Sequence, residues 1–181
     1  MGRKTRRAVL GTSGVALLAG CSGFGSVVGG DSQSQAGSDT QDADGDGVPD
    51  TEDDFPENST YSVEAELIDD ERRIPEQEWA RWSFDFLGET EISYEFTVRD
   101  GPAIDVLLFK ADEYEHYANR DGARYLTATS VLDAADGSNT GTINPGIHYF
   151  VLDNTTWGDA APSTNVDDDV ATVEITLIGR R

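Results

Sequence analysis

In 181 residues this chain has one cysteine, one methionine and two histidines, and its 13 lysines and arginines face 35 aspartates and glutamates. A single thiol excludes an intramolecular disulfide, so any folded part must be stable without covalent staples. With so few cations there is no basic patch to displace counterions from a phosphate backbone, which argues against nucleic acid as a partner. No run approaches the roughly 20 strongly apolar residues that a helical membrane span requires. Also missing are a serine in a nucleophile elbow, a His-Glu zinc motif and a phosphate-binding glycine loop. Carboxylates are so frequent that pairs of them say nothing about glycosidase chemistry. The expectation is a protein that is not an enzyme.

What is present in excess is negative charge, a formal −22 spread along the whole chain. Dispersed aspartate with almost no lysine points to adaptation to high salt, where a short screening length removes the self-repulsion. The competing reading is an acidic face for a partner. Once the basic N-terminus is removed, Lys110 is the only lysine left.

That N-terminus runs from the basic Met1-Gly2-Arg3-Lys4-Thr5-Arg6-Arg7 into a glycine-diluted apolar stretch, Ala8 to Gly20. The order is that of an export signal. The Arg6-Arg7 pair, with Val9-Leu10 after it, resembles a twin-arginine signal, whose machinery exports folded proteins. Leu18-Ala19-Gly20-Cys21 resembles a lipobox. The two resemblances imply a lipoprotein with a signal peptide over residues 1–20, and the acidic composition points to a haloarchaeal-type source. Cys21 would be lipidated and hold the chain on the extracellular face of the cell membrane. A plain signal peptide with a chance cysteine is the alternative. Stable anchoring takes two acyl or alkyl chains, which a diglyceride-type lipid on Cys21 would supply. Residues 21–41, rich in Gly, Ser, Gln and Asp, are expected to form a flexible tether.

Between 42 and 56 the chain reads Asp42-Ala43-Asp44-Gly45-Asp46-Gly47-Val48-Pro49-Asp50-Thr51-Glu52-Asp53-Asp54-Phe55-Pro56. Calcium takes six to eight oxygen ligands, so a chelating loop needs closely spaced carboxylates and a glycine at the sharp turn. Counted from Asp42, acids stand at positions 1, 3, 5, 9 and 12, as Asp42, Asp44, Asp46, Asp50 and Asp53. Gly47 is sixth and Val48 offers its carbonyl at seven, which is EF-hand loop spacing. An aspartate at position 12 has a shorter bidentate reach than glutamate. No helical pattern flanks the loop, and it resembles a single thrombospondin type 3 repeat, with Phe55 where animal repeats carry cysteine. That resemblance implies Ca2+ as the bound ion and makes Asp54 a candidate ligand for a second one. The alternative is an acidic linker with no metal.

From residue 61 to 181 the pattern changes to strands. Trp82, Phe84 and Phe86 alternate with polar residues, as do Ile92, Tyr94, Phe96 and Val98, and again Val173, Ile175 and Leu177. Ile104–Phe109 and Ile147–Leu152 are apolar on nearly both faces and are expected to be central strands. Tyr61–Ile68 and Arg124–Val131 are weaker strands, and Asp112–Arg120 is expected to form one or two helical turns capped by Asp112. Asp100-Gly101-Pro102, Asp136-Gly137-Ser138-Asn139 and Asn144-Pro145-Gly146 are expected to be turns or loops. Seven or eight short strands with little helix predict an all-β, antiparallel sandwich of jelly-roll-like kind. The order of the Trp82–Phe86, Ala103–Leu108, Pro145–Asn154 and Val173–Leu177 segments resembles the pre-peptidase C-terminal domain family. Such domains are accessory or binding modules of secreted enzymes.

Among lesser signals, His148 lies in an apolar strand and is expected to be buried and hydrogen-bonded, and His116 to be solvated. Asn58-Ser59-Thr60 and Asn154-Thr155-Thr156 are glycosylation sequons, with a turn as the alternative role of Asn154. Trp157, with Tyr149 and the polar loop to Asn165, reads either as an aromatic binding platform or as core packing. Together these features suggest a non-enzymatic cell-surface lipoprotein for adhesion, envelope structure or ligand binding. Its partner would be an envelope protein or a glycan. The alternative is a carbohydrate-binding or accessory module of an extracellular hydrolase system.

Overall fold

Strand formation follows the alternation closely. The computed structural model describes residues 41–157 and 169–181. The signal segment, Cys21 and all of the tether but Gln41 lie outside the described residues. So does 158–168. The strands are β1 (Glu64–Ile74), β2 (Glu78–Phe86), β3 (Thr90–Asp100), β4 (Ile104–Lys110), β5 (Val131–Ala134), β6 (Asp136–Ile143), β7 (Gly146–Asn154) and β8 (Ala171–Arg180). One helix, α1 (Ala111–Ala118), follows β4 directly. Two four-stranded sheets result, in the orders β1-β8-β3-β6 and β2-β7-β4-β5, with every pairing antiparallel. The protein is an all-β sandwich. None of the helices among the described residues is long and apolar enough to cross a membrane.

The main core fills the space between the sheets. Ile92, Tyr94, Phe96, Val173, Ile175 and Leu177 from the first sheet meet Ile104, Val106, Leu108, Phe150 and Leu152 from the second. Each such side chain contributes roughly 1.5–3 kcal/mol by leaving water. The central strands are apolar on both faces for a separate reason. Leu107, Phe109 and Val151 point away from the sandwich core and are covered by Tyr114 and Tyr117 of α1, which makes a second apolar layer. Continuous hydrophobic runs are what a strand buried on both faces should show.

Three local expectations are corrected. Residues 136–139 are not a loop but the start of edge strand β6, paired with β3 from Thr97↔Asp136 to Thr90↔Ile143. Gly137, which reads as a turn residue, and Gly141 further along the strand are there because space is short. A Cβ on Gly141 would lie 2.5 Å from Thr129 Cγ2, and one on Gly137 3.0 Å from the Phe96 ring. Residues 124–130, expected as a strand reaching Val131, are not a strand. They cross beside β6, with a single helical turn at Thr127–Thr129, before β5 starts at Val131. Asp112 does not cap α1. Lys110, the last residue of β4, occupies the cap position without a side-chain bond, and Asp112 and Glu113 stand in the first turn. There their charges still favour the positive end of the helix dipole.

Candidate functional site

Local hydrogen bonds coil the acidic loop around its own carboxylates. Asp42 Oδ1 accepts from Gly45 N at 2.8 Å and its Oδ2 from Gly47 N at 3.1 Å. Asp44 Oδ1 accepts from Asp46 N at 3.1 Å and Asp46 Oδ1 from Val48 N at 2.7 Å. Asp50 closes the loop, since its Oδ1 accepts from Ala43 N and its own N donates to Gln41 O. Gly45 and Gly47 have φ of 77° and 97°, a region that glycine enters without steric cost. The result brings carboxylate oxygens of Asp42, Asp44 and Asp46 within 4.8 Å of one another.

These residues fit a hard cation. The donors are all oxygen, as Ca2+ prefers. Asp44 Oδ2 is buried with no hydrogen-bond partner, and so is Asp53 Oδ2. Leaving such an atom unsatisfied costs about 1–3 kcal/mol or more for a charged group, a cost that a bound cation would lift. Asp50 and Asp53 lie outside the group of three, and Asp53 Oδ1 accepts from Phe55 N at 2.7 Å.

Beyond Asp53 the loop is built into the sandwich. Asp54, a candidate second-ion ligand from sequence, holds the start of β1. Its Oδ2 accepts from Glu64 N at 2.9 Å, and its N donates to Ser62 O. Ser62 and Val63 both donate to Arg181 O, just past β8. The Phe55 ring packs on Tyr61 at 5.8 Å, and Tyr61 OH donates to Glu91 Oε2 on β3 at 2.7 Å. That bond to a carboxylate, ahead of burial, raises the Tyr61 phenol above its ordinary pKa. Arg180 ties the junction together through Glu64 at 2.8 Å and Glu91 at 3.4 Å.

The layer under α1 holds a group that sequence reasoning missed. Asp105 and Asp153 face each other across the β4–β7 ladder, and neither has exposed surface. Asp105 Oδ1 accepts from Asp133 N and Asp153 Oδ1 from Thr155 N, at 2.7 and 2.8 Å. Burial raises the pKa of Asp153, and the Asp105 charge adds to the rise, against the hydrogen bonds from Thr155. Tyr117 beside it is raised by burial first and by the Asp153 charge next. Register could have revealed the pair, but register is set by pairing between distant strands.

Trp157 and Tyr149 meet different rings. Trp157 meets the Tyr117 ring edge-on at 6.1 Å with Arg120 over its own ring at 5.3 Å. Tyr149 stacks on Tyr114 at 4.1 Å, and Arg81 lies over both tyrosines. Trp157 is 40 % exposed, and the rest of its loop lies outside the described residues. His148 is buried with Nδ1 3.0 Å from Gly146 O, and His116 is exposed on α1. Asn58 is exposed. Asn154 is corrected as a glycan acceptor of the folded domain. It is fully buried, and its Nδ2, the atom a glycan would occupy, donates to Ile74 O and Asp169 O at 3.0 and 2.8 Å.

No protein-family model matches the chain, and no curated protein does. Among solved structures it is similar to the pre-peptidase C-terminal domain of collagenase from Bacillus anthracis. The identity is 10% and the TM-score 0.35, over 60% of this chain and 89% of that one. It is also similar to a chain from work on Bacillus endospore appendages, described as a novel family of disulfide-linked pili. There the identity is 11% and the TM-score 0.36, over 65% of this chain and 84% of that one. The fold itself stands on the strand order and register given above.

Proposed function

We propose that this chain is a non-enzymatic cell-surface lipoprotein. In this reading a calcium-bound loop stiffens the joint between a lipidated tether and a β-sandwich that serves adhesion, envelope structure or ligand binding. The sandwich is of pre-peptidase C-terminal type and the loop of thrombospondin type 3 type. Twin-arginine export would deliver it folded, and lipid on Cys21 would hold it at the extracellular face of the membrane.

The observation that carries the reading is the way the loop joins the sandwich. Asp42, Asp44 and Asp46 converge at one end of it, and Asp54, Phe55 and Tyr61 bond its other end to β1 and β3. A cation held there would neutralise the converging carboxylates and fix the direction in which the tether leaves. A mere acidic linker would have no need of the Asp54–Glu64 bond or of a buried Asp53. When bound, Ca2+ supplies charge neutralisation and rigidity, with no reaction step.

Calorimetric titration of calcium into the protein is expected to give a saturable exothermic or entropic isotherm that the Asp44→Ala/Asp46→Ala variant loses. Equal binding by both proteins would reject the site.

A further inference from the structure

Where β4 and β6 end and β7 begins, the surface opens into a cleft of about 310 Å³. Its lining includes Lys110, Tyr125, Thr127, Thr142, Asn144 and His148. Among the described residues no carboxylate lines it, although acids make up 35 of the 181 residues. It does contain Lys110, the one lysine among the described residues, and among those residues Lys110 forms no ion pair.

His148 supplies the second observation. It is 2 % exposed, it lines the cleft, and its Nε2 has no hydrogen-bond partner. Its Nδ1 lies 3.0 Å from Gly146 O. A carbonyl oxygen only accepts, so Nδ1 carries the proton and Nε2 of the neutral ring is left as an acceptor. It calls for a hydroxyl or N–H donor. An unmet buried acceptor is costly, and a ligand hydroxyl that a small turn of the ring toward the cleft brought within reach of Nε2 would lift that cost.

The wall opposite is fixed before any ligand arrives. Leu126 N donates to Leu108 O, Ser130 Oγ donates to Leu126 O, and Tyr94 OH donates to Thr129 O. A preformed wall saves the ordering cost of binding. The Thr127 and Thr142 hydroxyls and the Asn144 amide offer both donors and acceptors, and Tyr125 offers an apolar ring face.

We infer that this cleft binds an acidic sugar, with Lys110 pairing the carboxylate and His148 Nε2 accepting a hydroxyl of the ring. A simple anion would leave the histidine unmet, and a neutral sugar would leave the lysine unused. The inference rests on reading the domain as a non-catalytic ligand-binding module, and it is independent of the calcium loop.

The probes are D-glucuronate, D-glucose and acetate, titrated into the full chain at molar salt and neutral pH. Glucuronate is expected to bind at least tenfold more tightly than glucose, with no measurable acetate binding. Lys110→Gln, at an exposed position, is expected to bring glucuronate down to the level of glucose. His148→Phe keeps the ring shape beside Phe86 and is expected to weaken both sugars. If that variant fails to fold, Asn144→Ala replaces it with the same expectation. Absence of glucuronate binding, equal binding of glucuronate and acetate, or a Lys110→Gln variant that binds as the parent does would overturn the inference. An intact calcium isotherm in that case would leave the calcium-stiffened stalk standing.

Discussion

Asp153 sits without exposed surface in the layer between the second sheet and α1, directly across from Asp105. Its pKa is raised in the folded state, chiefly by burial. The native protein therefore holds this proton more tightly than the unfolded chain does. By linkage, the contribution of Asp153 to stability falls as pH rises from the unfolded carboxyl range through the raised native value. Above that value the whole cost of the buried charge is present. Asp153→Asn keeps an oxygen to accept from Thr155 N and removes the charge. It is expected to stabilise the fold by about 1–2 kcal/mol at pH 7, with the gain shrinking in acid where Asp153 is itself neutral. Thermal denaturation of the two proteins across the pH range checks this, and a variant less stable at pH 7 would contradict it.

At the scale of elements, edge strand β6 and the segment that crosses beside it depend on one close contact. Gly→Ala in a strand ordinarily gains about 0.5–1 kcal/mol from reduced backbone entropy. At Gly141 the new Cβ would meet Thr129 Cγ2 at 2.5 Å, and Thr129 is held by its Oγ1 bond to Leu126 O at 3.1 Å. The clash decides the sign. Gly141→Ala is expected to cost about 1–3 kcal/mol, as overpacking does. Thr129→Ser removes the offending methyl and keeps the hydroxyl, so in its background the cost should largely vanish. A double-mutant cycle with no coupling would show that the two elements do not meet as described. The same contact explains why this region misled the sequence reading. Asp-Gly-Ser-Asn looks like a turn, and nothing local says that Gly137 and Gly141 are small because another segment lies against them.

For the molecule as a whole, the charge of −22 is expected to make stability depend on salt. At molar salt the Debye length is only about 3 Å, so the dispersed carboxylates scarcely repel one another. The midpoint of thermal unfolding is expected to fall steeply as salt is lowered from molar to about 0.1 M. Calcium should restore part of the loss, because a ligand at 100 times its Kd stabilises by about 2.7 kcal/mol. The Asp44→Ala/Asp46→Ala variant should keep the salt dependence and lose the calcium increment. If the parent melts at the same temperature in low and high salt, the charge is not a salt adaptation but belongs to an acidic face.

The strands with one wet and one dry face were legible in the sequence because a period of two is a local property. Trp82–Phe86, Ile92–Val98 and Val173–Leu177 each state which side is buried, and the doubly apolar β4 and β7 state that they are central. The convergence of Asp42, Asp44 and Asp46 was legible too, since their spacing is local. Other features were decided only by tertiary structure. They include the pairing of Asp105 with Asp153, the use of Asp54 to hold β1, the burial of Asn154 and the meeting of Lys110 with His148 in one cleft. Each depends on register between strands far apart in the chain, where a shift of one residue would turn every side chain to the opposite face.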